Sequence, residues 1–281
     1  MGVPTENMEA TFEIEDTEEP QLDIVVAVNP YDRRPVGIPN PEESPPRHPF
    51  SFPDFKIELV PSKQMQLGDY NAFHLTLGKI NFNAGEPSVV EDYIPPCARV
   101  DAHPVLLDWY QKFGHLMSEI EHYVILIIQK IKAKSQDTPL AEDVYYVSER
   151  MSFFLAHHMA EYKLTSSERS PVYMFTEFVS FAHVIKTAIS LVTGKRKEDL
   201  MNYFNEWANL TPGDFDKTLD ELIRLKYDHT NIHLAIEKTN AFFQVISNLF
   251  SKLSQLGFIG RKKGGVFVDE KTDEGRKEWT F

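Results

Sequence analysis

Glutamate and histidine three residues apart on a helix offer two metal ligands to one side, and Glu119-Ile-Glu-His122 has that spacing. A di-metal carboxylate centre needs two such motifs on different helices plus two further glutamates. No second copy follows, so this one reads as a solvated helix face with too few ligands. His229 and His233 have the i, i+4 spacing of a zinc pair, but Thr230 stands where a His-Glu-x-x-His motif needs glutamate. His229 therefore reads as a cap or hydrogen-bond partner near a helix start. His115 with Glu119 and His157 with Glu161 could pair along a helix surface. As catalytic dyads they lack a nucleophile and a third, orienting group. Gly194-Lys195 lacks the upstream glycine and following Ser or Thr of a phosphate loop, and no Gly-x-Ser-x-Gly elbow occurs. Gly260-Arg-Lys-Lys263 is a short basic patch that reads as a solvated hinge. No catalytic, cofactor or metal site emerges, and the expectation is a protein that is not an enzyme.

The elements that carry these residues fall into two grammars. Eleven of the 18 prolines lie in the first 61 residues, where helical periodicity is absent. Residues 1–20 read as an acidic, adaptable tail. Gln21 to Val28, rich in β-branched side chains, reads as a buried strand. The segment 29–53 is crowded with proline and carries Arg33, Arg34, Pro35 and Arg47; a run this long without periodicity predicts a linker or a partner-binding arm. Phe55, Ile57 and Leu59 alternate with Lys56 and Glu58, and Phe73, Leu75 and Leu77 with His74 and Thr76, predicting half-buried strands. Three or four strands form a thin sheet that needs a partner over its apolar face. Either the helices cover it or part of the domain is missing.

After Pro95-Pro96 the period becomes helical. Asp101-Ala-His-Pro104 starts a helix running to Lys134, with apolar residues at three- and four-residue steps. Further helices are predicted over 139–163, 168–193, 197–208, 212–226 and 230–255. The fold expected is α+β but predominantly α: a small β-rich part over 21–100, an antiparallel helical bundle over 101–256, and a glycine-rich, basic then polar tail over 257–281. The apolar stripes on 104–133 and 231–253 exceed what one four-helix core would bury, predicting association along the helices.

Composition narrows the classes. A net charge of −13 argues against a nucleic-acid partner. Cys97 is the only cysteine, so neither an intrachain disulfide nor a thiolate metal cage can form. The acidic start has no apolar core of a signal peptide, and the longest apolar run, Tyr123 to Ile128, is far short of a bilayer span. The expectation is a cytoplasmic protein without direct membrane insertion.

From Asp92-Tyr-Ile-Pro-Pro-Cys-Ala-Arg-Val100, followed by Ala102-His-Pro-Val-Leu-Leu107, the chain resembles the TssK family, trimeric baseplate components of bacterial type VI secretion systems. In that family a strand ends in an Ile-Pro-Pro-Cys turn and the first bundle helix begins a few residues later. Ser170-Pro-Val-Tyr-Met174 and Tyr227-Asp-His229 are similar to segments that open later family helices. The resemblance spans roughly residues 22–256, with Ile94-Pro95-Pro96-Cys97 its sharpest element. It departs in two places: the family's longer N-terminal shell with its Leu-Arg-Pro-Gln-His-Phe-like opening is not found, and the chain ends without a C-terminal head. The resemblance implies a homotrimeric adaptor at the inner face of the cytoplasmic membrane, gripping the wedge proteins TssF and TssG and, as a further candidate, TssE. Without the head it does not extend to the membrane complex. Two other classes fit the same patterning: a phage-type tail or receptor-binding protein, and a helical-bundle metalloenzyme.

The four residues also have a reading independent of any family. Two successive prolines remove two backbone donors and fix φ, so Pro95-Pro96 ends strand pairing and aims the next helix rigidly. Ile94, Pro95, Pro96 and Cys97 are thus expected to be a structural corner with no redox duty.

Overall fold

A polypeptide alternating between β-branched residues and proline near its start cannot sustain helical hydrogen bonding there, and the computed structural model places strands in that region. The structure describes residues 9–12, 20–67, 72–83, 86–208 and 213–260. The expected acidic tail lies largely outside the described residues, as do most of the expected C-terminal tail and Arg261 to Lys263 of the basic patch.

The elements run β1 (Gln21–Val36), β2 (Phe50–Pro61), a short α1 (Ser62–Leu67), β3 (His74–Asn83), β4 (Glu86–Val89), α2 (Pro104–Ala133), α3 (Pro139–Thr165), α4 (Pro171–Leu191), α5 (Gly194–Ala208), α6 (Asp214–Ile223) and α7 (Ile232–Gln255). The fold is α+β and mainly α. Proline opens α2, α3 and α4, where the first turn has no use for its missing N–H. The Thr138 hydroxyl caps α3 through the amide of Ala141 (3.2 Å). Gly194, at φ +61, permits the break between α4 and α5; it opens the second helix as well as closing the first.

The chain divides into two compact units. The first comprises Met1–His115, His158–Ser180 and Glu221–Ala241. Its antiparallel sheet has the order β2-β1-β3-β4. Its helical part is knitted by aromatic rings: Phe178 meets Phe113 edge-on (5.1 Å between centroids), and Phe175 lies 5.7 Å from Tyr227. The start of α2 lies against the end of α3, since Tyr110 and Tyr162 stack at 4.8 Å.

The second unit comprises Leu116–His157, Phe181–Asp220 and Phe242–Phe281. Phe154 stacks on Phe181 (5.2 Å), and Phe204 bridges Phe215 and Phe250. Arg196 of α5 holds Asp143 (2.7 Å) and Glu142 (3.1 Å) at the start of α3.

Two expectations need correction here. The strand expected to end at Val28 runs on to Val36, pairing Arg33 with Pro53, Arg34 with Phe52 and Val36 with Phe50 after an irregularity between Asn29 and Arg33. Much of the segment 29–53 is therefore a β-ribbon, and the unpaired linker shrinks to its tip. Proline masked this, because its missing donor can face outward on a two-stranded ribbon without breaking the ladder. The apolar stripes of α2 and α7 are also consumed within one chain: Phe113, Met117, Ile120, Val124 and Ile127 are fully buried, as are Ile232, Phe242, Phe243, Leu249 and Phe250.

Candidate interaction site

Antiparallel pairing places directly opposed residues on one face of a sheet, so the registers sort the side chains. Asp23, Val25 and Ala27 oppose Val60, Glu58 and Lys56 on β2, and Lys79, Thr76 and His74 on β3. On this face Asp23, Val25, Ala27 and Val60 are buried. Asp23 accepts a hydrogen bond from Ser62 and lies 3.8 Å from Lys79, whose ammonium sits 5.3 Å above the Tyr93 ring. Burial, and then the nearby Asp23 carboxylate, push the Tyr93 hydroxyl up to about 12.

The opposite face carries Ile24, Val26 and Val28 against Leu59, Ile57 and Phe55 on one side, with Leu75 opposite Val26 on the other. Phe55, Phe73, Leu75 and Leu77 are exposed. The side of the alternation that carries these residues is the more exposed, while Val25, Ala27 and Val60 bury the mixed face. The sequence pattern identified two faces but not which of them the rest of the first unit would cover.

From this sheet the ribbon of β1 and β2 extends to an exposed tip. Asn40 and Arg47 form a β-bridge, with the Asn40 amide donating to the Arg47 carbonyl (2.8 Å). Arg47 lies 3.2 Å from Glu43, and Arg34 lies 4.0 Å from Asp54 across the ribbon. Arg33, Arg34, Pro35 and Arg47 are all exposed, so the four expected contact residues lie on one hairpin. Gly37 at the tip has φ +95, and a Cβ there would stand 2.6 Å from the Pro49 ring, so the turn requires glycine.

The Ile94-Pro95-Pro96-Cys97 segment lies between β4 and α2. Ile94 and Cys97 are buried, and the Cys97 thiol donates to the Pro95 carbonyl (3.1 Å). Burial pushes the thiol above its ordinary range. Arg99, the nearby cation, instead chelates Asp101 through two hydrogen bonds of 2.8 and 2.5 Å. A turn of 3-10 helix, Val100–Ala102, is tied by the Val100 amide to the Arg169 carbonyl (3.0 Å), and α2 starts at Pro104.

The other chemistry-bearing residues have local partners. His229 accepts or donates through Nδ1 to the Tyr227 hydroxyl (2.7 Å), and His233 lies 3.3 Å from Glu237. Glu161 accepts a hydrogen bond from Arg169 (2.7 Å). One pair has no short-range signature at all: His158 of α3 meets Glu177 of α4 at 2.6 Å, across helices and 19 positions apart. A polar cleft beside the corner is lined by Lys79, Asp92, Tyr93, Asp228, Asn231 and His233. Among the described residues no group of three or more His, Cys, Asp and Glu could hold a metal ion, and no helix is long and apolar enough to cross a membrane.

No family model matches the chain, and no curated protein does. Among solved structures it is similar to TssK from the type VI secretion system of EAEC in complex with a nanobody, at 13% identity and TM-score 0.41, covering 84% of this chain and 72% of that one. A crystal structure of TssK aligns over 87% of this chain and 51% of its own, at 14% identity and TM-score 0.43. TssK in a TssK-TssF-TssG baseplate subcomplex aligns over 84% and 68%, at 12% identity and TM-score 0.35.

Proposed function

We propose that this chain is a non-enzymatic structural adaptor of a type VI secretion baseplate, capturing the wedge proteins TssF and TssG through its β-rich end. The observation that carries the reading is the exposed β1–β2 hairpin with Arg33, Arg34 and Arg47 in a chain of net charge −13. A ribbon held by ladder hydrogen bonds loses little freedom on docking, and arginine supplies charge-assisted bonds to carboxylates on a partner. The ordered resemblance from Ile94-Pro-Pro-Cys97 through Tyr227-Asp-His229 supports the baseplate assignment. In this reading the protein works in the cytoplasm, at the inner face of the membrane, with TssE as a further neighbour. The homotrimer implied by the resemblance gains no support from the stripes on α2 and α7, which are buried within one chain.

The test is capture of purified cognate TssF–TssG by the chain with residues 38–48 replaced by a two-residue turn. That replacement spares the strand residues through Val36 and from Phe50. The helical circular-dichroism signal should persist while capture is lost. Undiminished capture would refute the assignment of the hairpin.

A further inference from the structure

The acidic chain distributes its cations unevenly. Segments 129–143, 194–199 and 252–263 hold ten Lys and Arg against five Asp and Glu, a net +5 in a chain of −13. They are remote in sequence, and the second unit brings them to one end. Lys130 donates to the carbonyls of Ser254 and Leu256, and Lys134 to that of Gly257, joining the end of α2 to the end of α7. Arg196 donates to the Pro139 carbonyl (3.1 Å) and holds Asp143, joining the start of α5 to the start of α3.

The chain leaving α7 is pinned at the same place. Ile259 is fully buried and its amide donates to Gln136 Oε1 (2.9 Å), while the Gly260 amide donates to the Tyr203 hydroxyl (3.2 Å). Chain continuity therefore keeps Arg261, Lys262 and Lys263 within ~11 Å of this seat. Residues 264–281 have a net charge of −2, so they leave the end positive. Glu142 and Asp143 are paired with Arg196, whereas Lys130 and Lys134 meet uncharged carbonyls that do not cancel their charge. Lys132, Lys134 and Lys195 are exposed. Burial, and then repulsion from Lys134, lower the Lys130 pKa, the mark of crowded positive charge.

We infer that this end of the second unit binds an anionic phospholipid surface. Eight of the ten cations are lysine, a residue depleted at protein interfaces, where arginine and aromatic anchors prevail. Lysine carries a compact charge on a flexible stem, which suits headgroups that diffuse and impose no fixed geometry. Apolar anchors for a protein partner are scarce, since Ile131, Val192, Leu253 and Ile259 are buried. Leu191, 62% exposed in a cleft it shares with Arg196, adds one apolar contact at headgroup depth. A planar surface meets this end alone, whereas a flexible polyanion would also run along the acidic remainder of the chain. Each cation held within a Debye length, ~8 Å at physiological salt, multiplies partitioning by about five. The contact is peripheral and needs no membrane-crossing helix. The inference goes beyond the adaptor reading and is tested without any wedge protein, so either can fail alone.

The test is flotation of the full chain with vesicles of phosphatidylcholine alone or of equimolar phosphatidylcholine and phosphatidylglycerol. The anionic vesicles should bind with half-saturation at accessible lipid on the order of 1 mM, and the neutral ones at least about tenfold more weakly. Binding should fall more than about tenfold between 0.05 and 0.5 M salt. Lys262→Gln with Lys263→Gln should weaken it about tenfold or more, and so, separately, should Lys132→Gln with Lys195→Gln, which lie on two other segments. Both double variants should keep the urea midpoint, and Lys56→Gln in the sheet should leave binding unchanged. Absence of flotation, equal binding to both vesicle types, or indifference to either double variant would overturn the inference. So would tighter binding to polyglutamate or to a single-stranded oligonucleotide than to the vesicles at equal charge.

Discussion

Tyr110 and Tyr162 exchange hydrogen bonds across the contact of α2 and α3: the Tyr162 hydroxyl donates to the Tyr110 carbonyl (2.8 Å), and the Tyr110 hydroxyl donates to the Tyr162 carbonyl (3.1 Å). Each helix thus supplies a donor to a backbone acceptor of the other, which fixes their axial register. Gly114, one turn further along α2, makes room for the Tyr162 ring, since a Cβ there would lie 3.0 Å from its Cε1. Tyr162→Phe should cost about 0.5–1.5 kcal/mol in urea unfolding, the net worth of one hydrogen bond. Gly114→Ala should cost about 1–3 kcal/mol through overpacking, despite alanine's better helix propensity. A stabilised Gly114→Ala variant would mean that the ring yields freely.

Alkaline pH should destabilise the protein through its buried tyrosines. Burial pushes Tyr93 and Tyr203 up to about 12, and raises Tyr162 and Tyr227 further. A raised folded-state value means the native protein keeps protons that the unfolded chain releases above its ordinary tyrosine pKa of about 10. Stability is therefore full below that pH and falls as pH rises from there towards 12, by up to about 1.4 kcal/mol per pH unit for each tyrosine. Urea midpoints between pH 8 and 11 check the sign. Absorbance at ~295 nm should show these four phenols ionising last.

Cys97 should be an inert thiol. Its raised pKa lowers the thiolate fraction at any given pH, and burial blocks access. Ellman's reagent at pH 8 should modify the native protein at least ~100-fold more slowly than the urea-unfolded chain, as expected when modification requires a local opening. Cys97→Ser should cost roughly 1 kcal/mol from a hydroxyl in an apolar site. Rapid native labelling would contradict the corner reading.

Lys130 of α2 and Lys134 just beyond its end close the end of α7. Lys130 Nζ donates to the carbonyls of Ser254 and Leu256, each at 2.5 Å, and Lys134 donates to the Gly257 carbonyl. These carbonyls lie at and just beyond a helix terminus, where the macrodipole favours a cation. Lys130→Met keeps the aliphatic stem and should lose about 1–2 kcal/mol. Hydrogen exchange should quicken at residues 250–257 before the rest of α7.

The sequence by itself determined what depends on local periodicity and punctuation. Pro104, Pro139 and Pro171 open helices because only a first turn tolerates them, and the three- and four-residue spacing from Leu106 to Ile131 could be satisfied only by a helix with one buried stripe. At Pro95-Pro96 the end of strand pairing could be predicted for the same reason: proline acts on its own backbone and its neighbour's. Tertiary structure alone decided which surface each pattern meets. Alternation marked Phe55, Ile57 and Leu59 as one face of a strand, but a period of two is equally satisfied by either side. In the fold the opposite face, with Val25 and Val60, is the buried one. Pairing partners were likewise invisible: Arg34 with Asp54, His158 with Glu177 and Lys130 with the end of α7 join positions far apart in the chain. The same holds for the ribbon beyond Val28. Proline denies a strand one donor, and whether that donor was needed depends on which neighbour the fold places beside it.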